Sequence, residues 1–261
     1  MKTETNSTGR LHVGRLHVEP SPKRVRTYLG GDLVADTTQA RLVWEVPYYP
    51  AYYVPSEDVK VDLVPTSKVT QSPSRGDARH YTIKAGGKEA PDAAWRYVDS
   101  PIEELRDLIR IDWNAMDGWF EEDEEVFTHP RDPYKRVDVP PTSRHVRVEV
   151  DGVVLAESST AHILFETSLP PRWYIPKVDV RMDLLVPTEK VSHCPYKGQA
   201  RYWSVQVGDN LIPDLAWSYR APFPESIKVA GLVCFYNETV DLFIEDDLQQ
   251  RPETPFSKQK R

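Results

Sequence analysis

Cysteine is scarce in this sequence. Its 261 residues include only Cys194 and Cys234, which are too few for a disulfide framework and lack the Cys-x-x-Cys spacing of a zinc site. Two separate thiols are typical of a protein from a reducing compartment, so we expect a cytoplasmic location.

Long apolar runs and an excess of positive charge are also missing. No stretch approaches the roughly 18 consecutive apolar residues of a membrane span, and the N-terminus is polar where a signal peptide would be apolar. The formal charge of -7 and the isoelectric point of about 5.6 offer no broad basic surface for phosphate backbones. We therefore expect neither membranes nor nucleic acids as partners, and the oligomeric state stays open.

The common signatures of cofactor and catalytic sites are absent as well. The sequence has no phosphate loop ending in Gly-Lys-Ser/Thr, no His-Glu-x-x-His and no Gly-x-Ser-x-Gly. It also lacks the paired aspartates that ordinarily hold magnesium in nucleotidyl transfer. We expect no metal and no cofactor. The acidic run 121–125 could seat a cation, but contiguous acids rarely converge on one ion, so we interpret it as a solvated end.

What the sequence does contain is an internal repeat, found by sliding the chain against itself. A shift of 121 residues places Glu45 over Glu166, and a shift of 124 near the end places Trp119 over Phe243. Between them, a shift of 122 aligns Val64-Pro65-Thr66 with Val186-Pro187-Thr188, Gly76 with Gly198, Ala78-Arg79 with Ala200-Arg201, and Ala94-Trp95-Arg96-Tyr97 with Ala216-Trp217-Ser218-Tyr219.

Shared order and nearly constant spacing indicate a tandem duplication of one domain. We predict a polar N-terminal arm at 1–22, copy one at 23–139, copy two at 140–246 and a solvated C-terminal tail at 247–261. Several prolines between the copies favour an irregular linker.

Each copy shows the alternation of apolar residues that is typical of β-strands, with turn residues at the breaks. Asp151-Gly152 separates two valine-rich segments as in a hairpin, because glycine takes positive φ at low cost; Gly30-Gly31 does the same in copy one. Early proline and acids predict short helical turns at 101–105 and 224–227. Segments 232–236 and 240–244 are predicted to form a last hairpin.

These patterns predict a mostly β protein with two homologous domains. Each would be a small antiparallel barrel or a bent, tent-like sheet of about seven or eight short strands, with one short helix. One continuous sandwich is the alternative.

The most distinctive string is His193-Cys194-Pro195-Tyr196-Lys197-Gly198, followed by Ala200-Arg201-Tyr202-Trp203. With the Phe165-Glu166 pair, the Tyr-x-Pro element and the Ala-Trp-Ser-Tyr segment, it resembles the family known as domain of unknown function 427. The resemblance covers nearly all of both copies. It implies a bent β-sheet related to tent-like modules that bind small molecules in an aromatic pocket. A label of the family suggests nucleotidyltransferase character, but no activity can be carried over to particular residues.

Pro195 and Gly198 frame a stiff turn that would present the side chains between them. Cys194 beside a lysine or a protonated histidine is a candidate nucleophile, with His193 as a candidate general base. Alternatively, Cys194 lines a pocket or is a small buried apolar side chain. Glu166 is either a buried hydrogen-bond acceptor or a general base.

Cationic and aromatic side chains complete the candidate site. Lys197 and Arg201 could hold a phosphate or carboxylate or lie at an ordinary charged surface, and the aromatic rings could wall a ligand or belong to the core. The candidate ligand-binding residues are Glu166, Tyr174, His193, Cys194, Tyr196, Lys197, Arg201, Trp203, Trp217 and Tyr219.

Copy one has Gln71-Ser72-Pro73-Ser74-Arg75-Gly76 where copy two has the distinctive string. The proline and glycine remain, whereas the histidine, cysteine and tyrosine are gone, so we place the function in copy two. The preferred hypothesis is binding of a small molecule. The alternatives are an enzyme of nucleotidyl or acyl transfer that uses Cys194 or His193, and a structural tandem without a ligand.

Overall fold

The computed structural model describes residues 4–5, 11–13 and 16–258. The chain divides into two compact units, the first ending at Asp132 and the second beginning at Pro133. We call them the first unit and the second unit. The division precedes the predicted boundary at residue 139, because Val137–Asp138 pairs with strand His162–Glu166 of the second unit.

Antiparallel strands make up most of both units. The strands of the first unit are β1 (Glu4–Thr5), β2 (Leu11–Val13), β3 (Leu16–Pro20), β4 (Val25–Leu29), β5 (Asp32–Thr37), β6 (Arg41–Val46), β7 (Tyr49–Pro55), β8 (Leu63–Ser72), β9 (Gly76–Ala85), β10 (Lys88–Arg96), β11 (Leu108–Ile111), β12 (Gly118–Glu121) and β13 (Glu124–Val126). Those of the second unit are β14 (Val137–Asp138), β15 (Val146–Val150), β16 (Val153–Ser158), β17 (His162–Glu166), β18 (Arg172–Ile175), β19 (Leu185–Cys194), β20 (Gly198–Val207), β21 (Asn210–Tyr219), β22 (Val233–Phe235), β23 (Asp241–Ile244) and β24 (Asp247–Leu248).

Helical structure within the described residues consists of short 3-10 turns. The two turns predicted from proline and acidic residues are among them; all are Ser56–Asp58, Glu103–Leu105, Trp113–Ala115, Lys177–Asp179, Met182–Leu184, Pro224–Val229 and Pro255–Lys258. The mostly β fold predicted from the sequence is confirmed, with more strands in each unit than the seven or eight expected.

Each unit contains two sheets in the same strand order. The first unit has the orders β1-β2-β3-β6-β7-β11-β10-β9-β8 and β13-β12-β4-β5, and the second has β14-β17-β18-β22-β21-β20-β19 and β16-β15-β23-β24. The described strands do not close into a barrel, so each unit is a pair of open sheets. Because the order of β3 to β13 repeats in β14 to β24, with β1 and β2 as additions to the first unit, the duplication is structural as well as sequential.

The larger sheet of the first unit is buried on both faces along its central strand β7, as the alternation of side chains shows. Tyr52 and Val54 join the core that also contains residues of the smaller sheet, whereas Ala51 and Tyr53 face a second cluster with Tyr97 on the other side. Successive side chains of a strand point to opposite faces. The residues equivalent to Tyr53 and Tyr97 belong to the candidate site, which therefore lies on the face turned away from the smaller sheet.

A bulge in the long hairpins repeats as well. Asp92 and Asp214, each following a proline, have positive φ values of 55° and 50°. The hydroxyl of Thr66 donates to Asp92 over 2.6 Å, and that of Thr188 donates to Asp214 over 2.8 Å. A local side-chain hydrogen bond thus supports the same unusual backbone in both units.

Two sequence predictions are wrong near the end of the repeat. Segments 232–236 and 240–244 do not form a hairpin, because β22 pairs with β18 and β21 in the larger sheet while β23 pairs with β15 in the smaller one. Strand register also places Trp119 opposite Thr27 and Leu242 opposite Val148, so Leu242 rather than Phe243 is the equivalent of Trp119.

The segments predicted as arm and tail make defined contacts where the structure describes them. β3 pairs with β6, although it falls in the range predicted as an arm; part of the repeated Gly-Arg-Leu-His-Val sequence lies outside the described residues. In the predicted tail, Arg251 bonds to Val240 and Asp241, and Phe256 lies near Tyr236. No helix among the described residues is long and apolar enough to cross a membrane.

Candidate functional site

The distinctive string of the second unit forms a tight turn between β19 and β20. Cys194 lies opposite Gly198 in the strand register, and the backbone N–H of Lys197 donates to the carbonyl of Cys194 over 3.3 Å. Gly198 has a φ of 91°, and a Cβ at this position would lie 3.4 Å from the carbonyl oxygen of Ala221. Glycine is required here mainly because other residues rarely adopt this backbone conformation.

Lys197 is buried and forms an ion pair with Glu166. Its ammonium group donates to the carboxylate, and the two side chains are only 10% and 8% exposed. Burial by itself lowers the pKa of Lys197, but neighbouring Cys194 and Glu166 outweigh it and raise the pKa above its ordinary value. The lysine is therefore a charged group held by Glu166 and not an ordinary surface cation, and that carboxylate is occupied rather than free.

The other side chains of the turn are more accessible. Cys194 is half-buried and free, within reach of a side-chain hydrogen bond to Lys197. His193 is exposed, with its Nε2 3.2 Å from the Nε2 of Gln199. Tyr196 is half-buried, and its carbonyl accepts a hydrogen bond from Ser226 over 3.3 Å. The turn thus combines a buried ion pair with a more accessible thiol and phenol, while the imidazole lies with Gln199 and Arg201 on the other face of the hairpin.

Three of the candidate aromatic residues lie inside the core. Tyr174, Trp217 and Tyr219 are all buried, and the indole Nε1 of Trp217 donates to the hydroxyl of Tyr174 over 3.2 Å. Burial raises the pKa of both Tyr174 and Tyr219 well above the ordinary value, so both phenols stay neutral. These rings therefore belong to the core of the second unit and not to the wall of an open pocket.

Arg201 and Trp203 lie on the other face of β20. The neighbouring residues Ala200 and Tyr202 are buried, whereas Arg201 is exposed and Trp203 half-buried, with the ammonium of Lys177 5.6 Å from its ring centre. Alternation along a strand separates these two sets of side chains. The structure therefore does not bring Arg201 or Trp203 together with Lys197.

Sequence reasoning missed a second buried ion pair. Arg172 binds Glu238 through two hydrogen bonds of 2.7 Å, with side chains only 8% and 1% exposed, and its guanidinium lies 5.6 Å from the ring centre of Trp217. Burial raises the pKa of Glu238, but hydrogen bonds from Arg172 and Thr254 hold it below the ordinary value. The available signal was an arginine inside the apolar segment Arg172–Ile175; its partner is distant in sequence.

The first unit has a related cluster around Glu45, the equivalent of Glu166. The hydroxyl of Tyr53 donates to Glu45 over 2.6 Å, and the Nε atoms of Arg75 and Arg110 lie 3.7 Å and 3.6 Å from its carboxylate. Arg75 also donates to the hydroxyl of Tyr97 over 3.1 Å. The first unit therefore keeps the carboxylate, a cation and both tyrosines, and lacks the thiol, imidazole and phenol of the turn.

The acidic run of the first unit is not entirely a solvated end. Glu121 is only 3% exposed; it forms an ion pair with Lys23 and accepts a hydrogen bond from the hydroxyl of Tyr52 over 2.6 Å. Our interpretation of the run was wrong for this residue, because Glu121 ends β12 on its buried face. Among the described residues, no group of three or more His, Cys, Asp and Glu side chains is arranged to hold a metal ion.

Comparison with known protein families identifies both halves of the chain. The sequence profile of the domain of unknown function DUF427 matches residues 17–122 and, separately, residues 138–246. The two matches fall in the first and the second unit. No curated protein matches the chain.

Proposed function

The chain belongs to the DUF427 family as a tandem of two of its domains, and we propose that its second unit binds a small organic ligand at the turn from His193 to Gly198. The more accessible side chains of Cys194 and Tyr196 would contact the ligand, whereas His193 lies opposite Gln199 on the face of the hairpin that also carries Arg201. The ion pair of Lys197 and Glu166 would orient it from behind.

The observation that carries the proposal is the buried ion pair directly behind a half-buried thiol. Removing two charges from water costs several kcal/mol per ion, and apolar residues of similar size often stabilise a fold equally well. Buried charged groups with specific partners are concentrated at functional sites. At the same positions the first unit has Glu45 and Arg75, whose side chains are 20% and 17% exposed, so the sealed pair is particular to the second unit.

The charges at the turn bear on the kind of ligand. Lys197 and Glu166 neutralise each other, so a ligand need not supply a full counter-charge. An ammonium group has three N–H donors, of which one is directed at Glu166. A ligand with a hydrogen-bond acceptor and a planar body would match this donor and the ring of Tyr196.

A graft of the equivalent residues from the first unit tests binding. The variant His193→Gln, Cys194→Ser, Tyr196→Ser, Lys197→Arg takes the residues found at positions 71, 72, 74 and 75 and keeps the proline and glycine. A panel of nucleosides, nucleotides, aromatic acids and aromatic amides is screened by thermal unfolding of the full chain. A ligand at about 100 times its dissociation constant should stabilise the wild type by about 2.7 kcal/mol.

The graft should lose this stabilisation, and Arg201→Ala, on the other face of β20, should keep it. A compound that stabilises the wild type and the graft equally would refute binding at the turn. So would a panel without any hit.

A specific contact favours a second candidate function, group transfer through Cys194. Its thiol is close enough to Lys197 to contribute to the raised pKa of that lysine, and a neighbouring cation suits a nucleophilic thiol. Cys234 is an internal control because it is fully buried, and burial raises its pKa to about 12. Iodoacetamide should therefore label Cys194 selectively at neutral pH and faster than a free cysteine. A rate no faster than that of free cysteine would contradict this candidate.

A further inference from the structure

The second unit has a half-open groove away from the candidate site. It has a volume of about 320 Å³, and its apolar lining includes Ile163, Trp173, Leu242 and Ile244 from strands of both sheets. Phe165, also in the lining, is 43% exposed. The other four apolar side chains are at most 7% exposed, so they form the floor of the groove and Phe165 forms its accessible edge.

The first unit shows what can lie on this surface. Strand register makes Trp44, Tyr52 and Glu121 the equivalents of Phe165, Trp173 and Ile244. In the first unit two of these positions, Trp44 and Glu121, are contacted by the chain's own irregular segment 127–132, which follows β13. The segment carries a buried proline at its centre, and it runs along the surface instead of pairing as a strand.

Three contacts hold the segment in place. The ring of His129 stacks on Tyr49 with centres 4.3 Å apart, the indole Nε1 of Trp44 donates to Asp132 over 3.2 Å, and the backbone N–H of Arg131 donates to Glu121 over 3.1 Å. The equivalents of Tyr49, Trp44 and Glu121 are Pro170, Phe165 and Ile244, and all three line the groove. The groove is therefore the surface that the first unit covers with peptide.

The corresponding segment of the second unit takes another course. Gln249, Gln250 and Pro252 contribute to the lining, but Arg251 is turned to Val240 and Asp241. Beyond it, Thr254 donates to Glu238 and Phe256 lies against Tyr236. The chain thus leaves the surface half-open.

The charge of the surface also differs between the units. In the first unit, Lys23 pairs with the buried Glu121. In the second, Ile244 replaces that acid, and Arg144 replaces the lysine with its guanidinium 4.9 Å from the ring centre of Trp173. Within the described part of the chain, Arg144 forms no ion pair with a carboxylate. The groove therefore combines an apolar floor with one cation that lacks a counter-charge.

We propose that this groove binds an extended, proline-containing segment of a partner protein, with an acidic side chain directed at Arg144. The half-open shape and the peptide on the equivalent surface of the first unit favour a peptide over a small molecule. Ile244 in place of Glu121 removes a carboxylate that would repel an acid, so Arg144 favours an acidic residue where the first unit's segment has Arg131.

The test uses two fluorescein-labelled peptides and the full chain, with binding measured by fluorescence anisotropy. One peptide has the sequence of residues 126–133, and the other is the same peptide with Arg131→Glu. The acidic peptide should bind the wild type at least about tenfold more tightly, a difference of about 1.4 kcal/mol. Its affinity should fall as salt rises, because an accessible ion pair is screened.

Substitutions in the groove sharpen the test. Ile244→Glu restores the acid of the first unit and should reverse the preference between the two peptides, and Arg144→Gln should remove it. Ile227→Ser, at an exposed apolar residue outside the groove lining, is the matched control and should change neither affinity. Thermal unfolding confirms that each variant is folded.

Two outcomes would overturn the proposal: neither peptide saturates the wild type, or Ile244→Glu leaves the preference unchanged. Binding of 1-naphthoate with the affinity of the acidic peptide would also overturn it, because the groove would then be a site for small carboxylates. None of the substituted positions belongs to the turn at 193–198. Failure here is therefore separate from failure of the proposed ligand site.

Discussion

The first unit gathers two guanidinium groups on one carboxylate, whereas the second separates its buried charges into two ion pairs. Glu45 lies close to both Arg75 and Arg110, but Glu166 pairs with Lys197 and Glu238 with Arg172. The cluster around Glu45 therefore has one cation in excess, and the two pairs of the second unit are each neutral.

The difference arises because the second cation, an arginine, is carried on a different strand in each unit. Arg110 lies opposite Trp95 and Tyr53 in its sheet, and Cys234 lies opposite the equivalent residues in the second unit. A cysteine thus occupies the position of the arginine. The second unit carries its arginine on the neighbouring strand, at Arg172, where the first unit has Ala51.

In both units a guanidinium group lies against the tryptophan that the two copies share. The distance to the ring centre is 5.1 Å from Arg110 to Trp95 and 5.6 Å from Arg172 to Trp217. A cation over an aromatic face is attracted by the ring, and this contact persists although the residue that supplies the cation has changed. Equivalent chemistry in two copies of a domain need not come from equivalent positions.

The largest expected effect comes from breaking the pair that only the second unit has. Glu238→Gln leaves Arg172 buried without a counter-charge, and the loss of one partner of a buried ion pair costs about 3–5 kcal/mol. Urea unfolding followed by hydrogen exchange should assign this loss to the second unit.

Glu45→Gln is the matched change in the first unit. Its carboxylate is 20% exposed, so the free energy of unfolding should fall by less, about 1–3 kcal/mol. Equal losses in the two units would contradict the distinction between a sealed pair and a partly hydrated cluster.

The second-largest expected effect is a difference between the units in how their free energies of unfolding fall at alkaline pH. Burial raises the pKa of Cys234 from 9.0 to about 12, so between these values the unfolded thiol ionises while the folded thiol keeps its proton. Stability from this group is complete below pH 9 and is lost as the pH rises through 12, by up to about 4 kcal/mol. Hydrogen exchange at increasing pH measures the loss in each unit.

The first unit has Arg110 in place of that thiol and should respond later. Burial, together with Glu45, raises the pKa of Tyr53 well above 10.0, so a decline is expected there only above about pH 10. Cys234→Ala should flatten the second unit's decline between pH 9 and pH 10. If that variant declines as steeply as the wild type, the thiol is not its source.

A double-mutant cycle measures the interaction energy of the carboxylate–cation pair that both units have, Glu166–Lys197 in the second unit and Glu45–Arg75 in the first. Glu166→Gln and Lys197→Met should each destabilise the second unit, and the double variant should cost less than the sum, with a coupling of about 2 kcal/mol. The pair Glu45→Gln and Arg75→Met should show weaker coupling, because Arg110 also lies close to Glu45. Equal coupling energies in the two units would contradict the contrast between Glu166, which pairs with one cation, and Glu45, which lies close to two.

The features that could be predicted from the sequence are those set by residues close together in the chain. The repeat, the glycine turns and the Pro195–Gly198 bend follow from residues close together in the chain, whose φ preferences and alternation are set locally. Pairing of Arg172 with Glu238 depends on strands brought together only by the fold. The wrong hairpin at 232–244 has the same origin, because two neighbouring apolar segments can pair with each other or with separate sheets.

The structure shows which candidate site residues are buried in the core and which are exposed, and the alternation in the sequence alone did not distinguish them. Tyr174, Trp217 and Tyr219 are core residues, and Arg201 lies on the opposite face of β20 from Tyr202. The register of β20 could be deduced only once its partners were known, since a slip of one residue exchanges the two faces. Lys197 was placed in the turn correctly, but its partner could not be identified from spacing.

The smallest expected effect is one that should be the same in both units. Gly76 and Gly198 have φ values of 89° and 91°, and an added Cβ would meet its nearest neighbour at 3.6 Å and 3.4 Å. These are ordinary contact distances, so the cost of alanine comes from the left-handed backbone and should be about 1 kcal/mol in each unit. Chemical denaturation of Gly76→Ala and Gly198→Ala should give values within about 0.5 kcal/mol of each other. A much larger loss at Gly198 would mean that the ion pair behind the turn depends on this backbone geometry, and the contrast between the units would then extend from their charges to the turn itself.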